Sequence, residues 1–318
     1  MIDSGGGVPG KTYVLITPAY NEGRFIAKTI EGVLAQTLRP SRWVIVDDGS
    51  TDNTWEIIRR YAEQAEFIEP CQRQRKAGET YYGSSVYAIL QGVERVKDLP
   101  FDYLGILDAD MIVGPQYYEE IFRRFEANRE LGVAAGTYIE EIGGRWIEAF
   151  IDRRSTPKAL QVFRRACYEQ IGGYVPCPNG GEDTYTEIMA RKHGWQTWSF
   201  PEIQAVHQKP VGMGDGKSLL RAKFRQGVTD YCLATHPAFM MAKCLRRCLR
   251  ERPYVGAGLA RLAGFAYGHI VREPRQVLDD VRRYVRKEQM TRLLASLGIG
   301  PRLWRPVQSS NGGRKGSS

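Results

Sequence analysis

The sequence predicts an α/β fold built on a doubly wound, mostly parallel sheet flanked by helices, followed by a helical, basic C-terminal region. Three observations predict it. Short apolar runs alternate with segments of helical periodicity over the first two thirds of the chain, carboxylate clusters follow several of those runs, and the charge balance changes sign near Lys217. At 318 residues the chain can bury a sizeable core, as two domains or one large one. Hydrophobic residues at 42% and charged residues at 25% lie near globular averages and argue against wholesale disorder.

Tyr13 to Thr17 (YVLIT) is an apolar run stopped by Pro18, as expected of a buried strand. From Phe25 to Gln36, the residues Ile26, Ile30, Val33 and Leu34 recur at helical spacing. Trp43 to Val46 is a second strand, closed by the turn-rich Asp47 to Asp52, and Thr54 to Ala62 is again helical. A helix over Ser84 to Val96 and a strand over Tyr103 to Leu107 complete a third alternation, which ends at Asp108-Ala109-Asp110. Beyond it the pattern predicts a helix at Gln116 to Asn128, a strand near Val133 to Thr137, and helices at Phe163 to Ile171 and Thr184 to His193. Alternation of this kind is the pattern of a wound parallel sheet. Residues 217 to 296 read as nearly all helical, and Ser309 to Ser318 as a disordered Gly/Ser-rich tail. The organisation expected is a flexible 1–11, a catalytic domain over 12–216, a helical basic region over 217–308 and the tail 309–318.

The Gly-rich start has no apolar h-region, and no stretch reaches about 18 uncharged apolar residues; Tyr254 to Val271 comes nearest but contains Arg261. These features lead us to expect a cytoplasmic protein. The six cysteines include no CxxC pair, so reduced, buried thiols are expected; Cys244 and Cys248, one helical turn apart, are a weaker alternative as metal ligands. From Lys217 onward there are 21 Lys and Arg against 6 Asp and Glu, a balance of +15, whereas the preceding residues balance at −6. Such a basic segment suits anionic lipid, phosphate or nucleic acid.

Four clusters carry candidate chemistry. Asp108 and Asp110 place two carboxylates at a strand end, suited to Mg²⁺ or Mn²⁺ where a diphosphate supplies further oxygens; an ordinary acidic turn is the plainer alternative. Asp47 and Asp48 end a strand, where a carboxylate can accept hydrogen bonds from a nucleobase or ribose, although Ser50 to Asp52 also fit a helix cap. Glu182 and Asp183 open a helix, whose dipole favours the anion a general base requires; simple capping would use the same residues. His207 is either a structural hydrogen-bonding group or a nitrogen ligand completing the metal site.

In this order, the pieces resemble family 2 glycosyltransferases of the GT-A fold. The matching residues are Pro18-Ala19-Tyr20-Asn21-Glu22, Val46-Asp47-Asp48-Gly49-Ser50-Thr51-Asp52, Leu107-Asp108-Ala109-Asp110, Ile171-Gly172-Gly173-Tyr174, Gly181-Glu182-Asp183 with Arg191 and Gly194, and His207. The resemblance covers roughly residues 12 to 210. It implies a metal-dependent, inverting transfer from a nucleotide-sugar donor to an acceptor hydroxyl. Pro18, Ala19, Tyr20 and Glu22 would hold the donor's base and ribose, with Asp47 or, better, Asp48 reading the base. Asp108 and Ala109 would face ribose or sugar, and Asp110 the metal, with a further metal contact from His207. Asp183 would be the catalytic base, with Glu182 beside it. The stretch Arg75 to Ala88 departs from the family's usual pattern and leaves the base and sugar open; Arg75 or Lys76 could meet the diphosphate or be solvated loop charges. Trp146, Trp195 and Trp198 are candidates for stacking on sugars, with core packing the default.

The basic C-terminal third next to an apolar run suggests peripheral contact with an anionic membrane on its inner face, as would suit a lipid-linked or polysaccharide-precursor acceptor. A solvated bundle packed on the catalytic domain is the alternative, and nucleic acid is disfavoured because no recognition motif is present. Two other functions remain to be weighed: a nucleotidyltransferase making sugar nucleotides, which would want a Gly-rich basic loop after the first strand, and a non-catalytic nucleotide or polyanion binder.

Overall fold

In the computed structural model, residues 10–76, 79, 81–209, 219–250 and 254–299 are described. The expected tail, 309–318, and most of the expected flexible start lie outside these residues. Strand β1 (Tyr13–Ala19) shows how the core is made. Its side chains alternate between faces, so Tyr13 and Leu15 enter one apolar cluster while Val14 and Ile16 enter another. Strand β2 (Arg42–Asp47) does the same, with Trp43 and Ile45 on the first face and Val44 and Val46 on the second. A strand buried on both faces reads as an unbroken apolar run, which is what the sequence displays.

Helices α1 (Ile26–Leu34) and α2 (Thr54–Ala62) follow β1 and β2, and β3 (Ile68–Gln72), α3 (Tyr81–Val96) and β4 (Tyr103–Ile106) come next. Then come β5 (Met111–Val113), α4 (Tyr117–Ala127), β6 (Leu131–Ile142), β7 (Arg145–Glu148), β8 (Val162–Arg164), α5 (Arg165–Gln170), α6 (Glu182–Lys192) and β9 (Gln196–His207). The sheet runs β3-β2-β1-β4-β8-β6-β9-β5, with β7 hairpinned onto β6. Strands β3, β2, β1 and β4 are parallel, as are β6 and β9, and parallel pairs make up most of the register. The antiparallel pairings β4–β8, β6–β8 and β5–β9 join these blocks.

One expected helix is corrected. Phe163 and Arg164 belong to strand β8, and helix α5 covers only Arg165–Gln170. Phe163 sits opposite Leu104 on one side and Val133 on the other, so closing the sheet outweighs the helical spacing. The strands β3, β5 and β7 were not foreseen; β5 and β7 have only 3 and 4 residues and gain their order from neighbours.

Helices α7 (Leu219–Cys232), α8 (Pro237–Arg250), α9 (Tyr254–Val271) and α10 (Asp279–Ser296) form the C-terminal region. Helices α7 and α9 touch backbone to backbone: a Cβ on Gly227 would lie 1.9 Å from the Arg261 carbonyl oxygen, and one on Gly264 1.9 Å from that of Phe224. Ile188 of α6 packs with Leu233, Val281 and Val285, joining the C-terminal helices to the α/β layers. All six cysteines are unpaired, and all but Cys248 are buried.

Candidate active site

Because β1, β2 and β4 are parallel, the residues that follow them emerge at one edge of the sheet, where open α/β sheets bind ligands. The loop after β1 is fixed by the loop after β2. Asn21 has a left-handed backbone (φ 54), its N–H donates to Ser50 Oγ at 2.9 Å, and its side chain accepts from the Thr51 N–H at 2.8 Å. The Glu22 N–H donates to Thr54 Oγ1 at 2.8 Å. Ala19 pairs with Asp47 in the ladder, and Asp47 Oδ1 accepts from the Ser50 N–H. Thus Pro18, Ala19, Tyr20 and Glu22 form one wall with Asp47 and Asp48.

Asp48 is buried and saturated with donors. Arg73 pairs with one oxygen, while Arg75 Nε and Ser84 Oγ reach the other at 2.9 and 2.6 Å. The Arg75 guanidinium also lies 3.4 Å over the Tyr20 ring. Arg75 is therefore part of this wall and not a solvated loop charge, whereas Lys76 lines an adjoining cavity of about 730 Å³ with Arg73, Tyr87 and Pro178. Arg73 had been overlooked; a basic residue directly after a strand was the available signal.

Between β4 and β5, the Ala109 carbonyl accepts from Thr29 Oγ1 at 2.8 Å, which pins the turn and turns Asp108 and Asp110 into the crevice. Asp110 Oδ2 is 3.3 Å from His207 Nε2 and 3.6 Å from Lys209 Nζ. Burial opposes its charge, but His207 and Lys209 hold the Asp110 carboxyl below the usual range. Burial likewise opposes charge on His207, yet Asp110 and Glu140 (3.7 Å from Nδ1) raise it to about 9. Lys209 also contacts Glu22 at 2.6 Å, and burial raises the Glu22 carboxyl to about 7 despite that partner. Glu140 and Lys209 were not anticipated; the β6–β9 pairing brings Glu140 opposite His207.

Asp183 and Glu182 open α6 on the far side. The N-cap is Gly181 at φ 88, where a Cβ would lie 2.5 Å from Thr229 Cγ2 of α7, so only glycine allows α6 to begin here. Burial raises the Asp183 carboxyl, offset in part by its own bond from the Thr184 N–H at 2.7 Å. Burial also raises Glu182 to about 7, with Lys158 working against that shift. Lys158 Nζ lies 3.5 Å from Asp108 Oδ1 and 2.8 Å from Ser85 Oγ.

The two sides act on the same buried groups. The Tyr138 hydroxyl is pushed up first by burial and then by Glu140, Asp183, Asp108 and Asp110 together. Tyr174 is likewise pushed up by burial, then by Asp183, Glu182 and Asp108. Buried oxygens of Glu22 (Oε2) and Glu182 (Oε2) have no hydrogen-bond partner among the described residues, and Asp108 Oδ1 has no hydrogen bond, only the Lys158 ammonium 3.5 Å away. Orphaned acceptors of this kind fit a divalent cation, although no group of three His, Cys, Asp or Glu side chains among those residues is preassembled to hold one. Two or three protein ligands completed by substrate oxygens is the usual arrangement for Mg²⁺. Of the tryptophans, Trp198 is buried in the core, Trp195 donates to Gln170 Oε1, and Trp146 is exposed on β7.

The sequence matches the model of glycosyl transferase family 2 over residues 14–181, which is more than half of the chain. The chain belongs to that family. Among curated relatives, the chain is similar to glycosyltransferase GlyG of Streptococcus pneumoniae, at 26% identity over 39% of the chain and 38% of the relative. It is also similar to poly-beta-1,6-N-acetyl-D-glucosamine synthase of Staphylococcus aureus, at 31% identity over 40% of the chain and 28% of that enzyme. The chain matches well under half the length of these relatives. Among solved structures, the chain shares its fold with the mannosyltransferase PcManGT of Pyrobaculum calidifontis in complex with GDP-Man and Mn²⁺ (TM-score 0.54, 16% identity, covering 92% of this chain and 89% of that one). It also shares its fold with S. aureus TarS 1-349 in complex with UDP-GlcNAc (TM-score 0.51, 16% identity, covering 90% and 80%). The mostly parallel sheet flanked by helices is that of GT-A glycosyltransferases.

Proposed function

We propose that the protein is an inverting glycosyltransferase that moves a sugar from a nucleotide-diphosphate donor to an acceptor hydroxyl, with 12–216 as the catalytic unit and 217–308 as an accessory helical region. The observation that supports this reading is Lys158, whose Nζ lies 3.5 Å from Asp108 Oδ1 while its charge also acts on Glu182 and Asp183, so carboxylates of both sides lie within reach of one cation. The donor class is supported by the GDP-Man and UDP-GlcNAc held by the two structural neighbours. Tyr20, Asp47 and Asp48 would bind base and ribose, and Asp108, Asp110 and His207 would hold Mn²⁺ or Mg²⁺. When bound, that ion neutralises charge developing on the leaving diphosphate. Asp183 takes the proton from the acceptor hydroxyl as its oxygen attacks the anomeric carbon from the face opposite the leaving group. Burial raises both carboxyls, Glu182 to about 7, so a protonated Glu182 beside Asp183 can donate to an acceptor or sugar oxygen.

The deciding experiment is Asp183→Asn. Turnover should fall by about 10²–10⁴-fold with donor binding retained, as expected for loss of a general base. Near-normal turnover would overturn the assignment. Nucleotidyl transfer is the second reading. The loop Thr17-Pro18-Ala19-Tyr20-Asn21-Glu22 lacks the glycine-rich basic sequence that chemistry needs, and release of pyrophosphate instead of nucleoside diphosphate would favour it. A non-catalytic binder would show neither product. A lipid-linked or polysaccharide-precursor acceptor, and a cytoplasmic location with peripheral contact at the inner face of a membrane, belong to the same proposal.

A further inference from the structure

Large exposed apolar side chains are unevenly distributed in this protein. Residues 10–209 expose four of them (Tyr87, Ile142, Trp146 and Val175) among those described, and the greater number lie on the C-terminal helices. One group is a row on α8. Met241, Leu245 and Leu249 are 57, 69 and 75% exposed at a spacing of four residues, a stripe about 12 Å long. Helix α9 adds Val255 and Leu259, each 58% exposed.

The two rows form one surface. Helices α8 and α9 meet where Gly258 abuts Cys248 Sγ and the Cys244 carbonyl. Leu245 and Leu249 each lie one residue past Cys244 and Cys248, and Leu259 lies one residue past Gly258. Only 251–253 separate the helices, and α9 runs back along α8 from that connection. In such an antiparallel pair of right-handed helices, one step past the contact row turns both helices to the same side. Met241 and Val255 lie one turn before Leu245 and Leu259, on the same rows.

The charge around this face identifies its occupant. The C-terminal part from Lys217 carries 21 basic against 6 acidic residues. The buried Asp230 engages Lys243 and Arg261, both drawn inward at 2.6 and 2.8 Å. Arg246 and Arg247 lie beside Leu245, both over the Phe150 ring, with Arg246 also paired to Asp152 at 3.1 Å. A second copy seated on this face would bring two strongly basic regions together, which Coulomb repulsion opposes. No helix among the described residues is long and apolar enough to cross a membrane. An apolar face on a helical region of such net positive charge suits an anionic bilayer met in the interface plane.

We infer that the α8–α9 face, centred on Leu245, Leu249 and Leu259, docks on anionic phospholipid and brings the crevice to an acceptor carried by the bilayer. The acceptor class rests on the transferase reading; the docking itself does not.

The test is flotation of the full chain with vesicles of phosphatidylcholine alone or mixed with phosphatidylglycerol. The wild type should float with the mixed vesicles and not with the neutral ones. Leu245→Glu/Leu249→Glu should reduce binding by more than about tenfold, the scale of withdrawing two leucines from the acyl boundary. Its melting temperature and its thermal response to nucleoside diphosphates should be unchanged, since both sites are exposed. Met241→Gln/Leu259→Gln, milder and on the same face, should weaken binding in the same direction. The inference fails if the wild type does not float with mixed vesicles, or if the Glu variant floats as well as the wild type. It also fails if the variant only dissociates a dimer. Flotation without any response to nucleoside diphosphates would instead count against the transferase reading and leave the docking intact.

Discussion

His207 Nε2 lies 3.3 Å from Asp110 Oδ2, although the two residues are 97 positions apart. The antiparallel β5–β9 ladder brings them together by setting His207 opposite Met111. A carboxylate and an imidazole so placed can turn from each other to a shared cation. His207→Ala should therefore raise the Mn²⁺ concentration needed for half-maximal transfer by about tenfold or more, with little change in melting temperature. Chelation should abolish transfer and added Mn²⁺ restore it. Metal titration of both proteins is the measurement, and identical curves would remove His207 from the ion's coordination.

Asp48 is expected to set donor affinity. It gathers Arg73, Arg75 and Ser84, and Arg75 in turn lies over the Tyr20 ring. Asp48→Asn leaves Arg73 with Glu79 as its charged partner and takes the Asp48 charge from Arg75, so the wall should loosen. We expect the donor KM to rise by about 10–100-fold, the equivalent of one or two charged hydrogen bonds, with a smaller effect on kcat. Steady-state kinetics at varied donor concentration checks this, and an unchanged KM would place the base elsewhere.

Glu182 gives a pH-dependent effect on stability. Its carboxyl titrates near 7 in the folded chain and near 4.5 when unfolded. A raised value means that its contribution is fully present below the unfolded pKa and is lost as pH rises through the folded one. Glu182→Gln removes that loss. The variant should match the wild type near pH 4.5 and exceed it at pH 8 by on the order of 2 kcal/mol, a gain of several degrees in Tm. Thermal melts across this range test the sign.

Asp230 should behave oppositely. Lys243 and Arg261 hold its buried carboxylate charged, although burial opposes that charge and its carboxyl lies well below the usual range. Its contribution is present above the unfolded carboxylate pKa and is lost as pH falls through the folded one. Asp230→Ala strands two inward-facing cations and should cost about 3–5 kcal/mol. Chemical denaturation would read this, and a loss below about 1 kcal/mol would show that the cations find water instead.

Gly227 sits where α7 and α9 touch. An added methyl at 1.9 Å from the Arg261 carbonyl oxygen cannot be absorbed by a side-chain rotation, so the helices must separate. Gly227→Ala should cost about 1–3 kcal/mol or more despite alanine's higher helix propensity. Equilibrium unfolding measures it, and a stabilised variant would contradict the close crossing.

The sequence by itself determined the strands β1, β2 and β4, helix α2 to the residue, and the carboxylates that end or follow β2 and β4. Those features are local: a strand buried on both faces needs an unbroken apolar run, and ligand-binding groups follow strands at the edge of a wound sheet. Only the tertiary structure decided the short strands β5 and β7, the strand at Phe163, and the company each charged group keeps. Arg73 and Arg75 at Asp48, Lys158 at Asp108, and Glu140 with Lys209 around His207 all arise from ladders joining distant segments. Nothing in the spacing along the chain encodes such pairings, because burial and strand register are properties of the packed sheet.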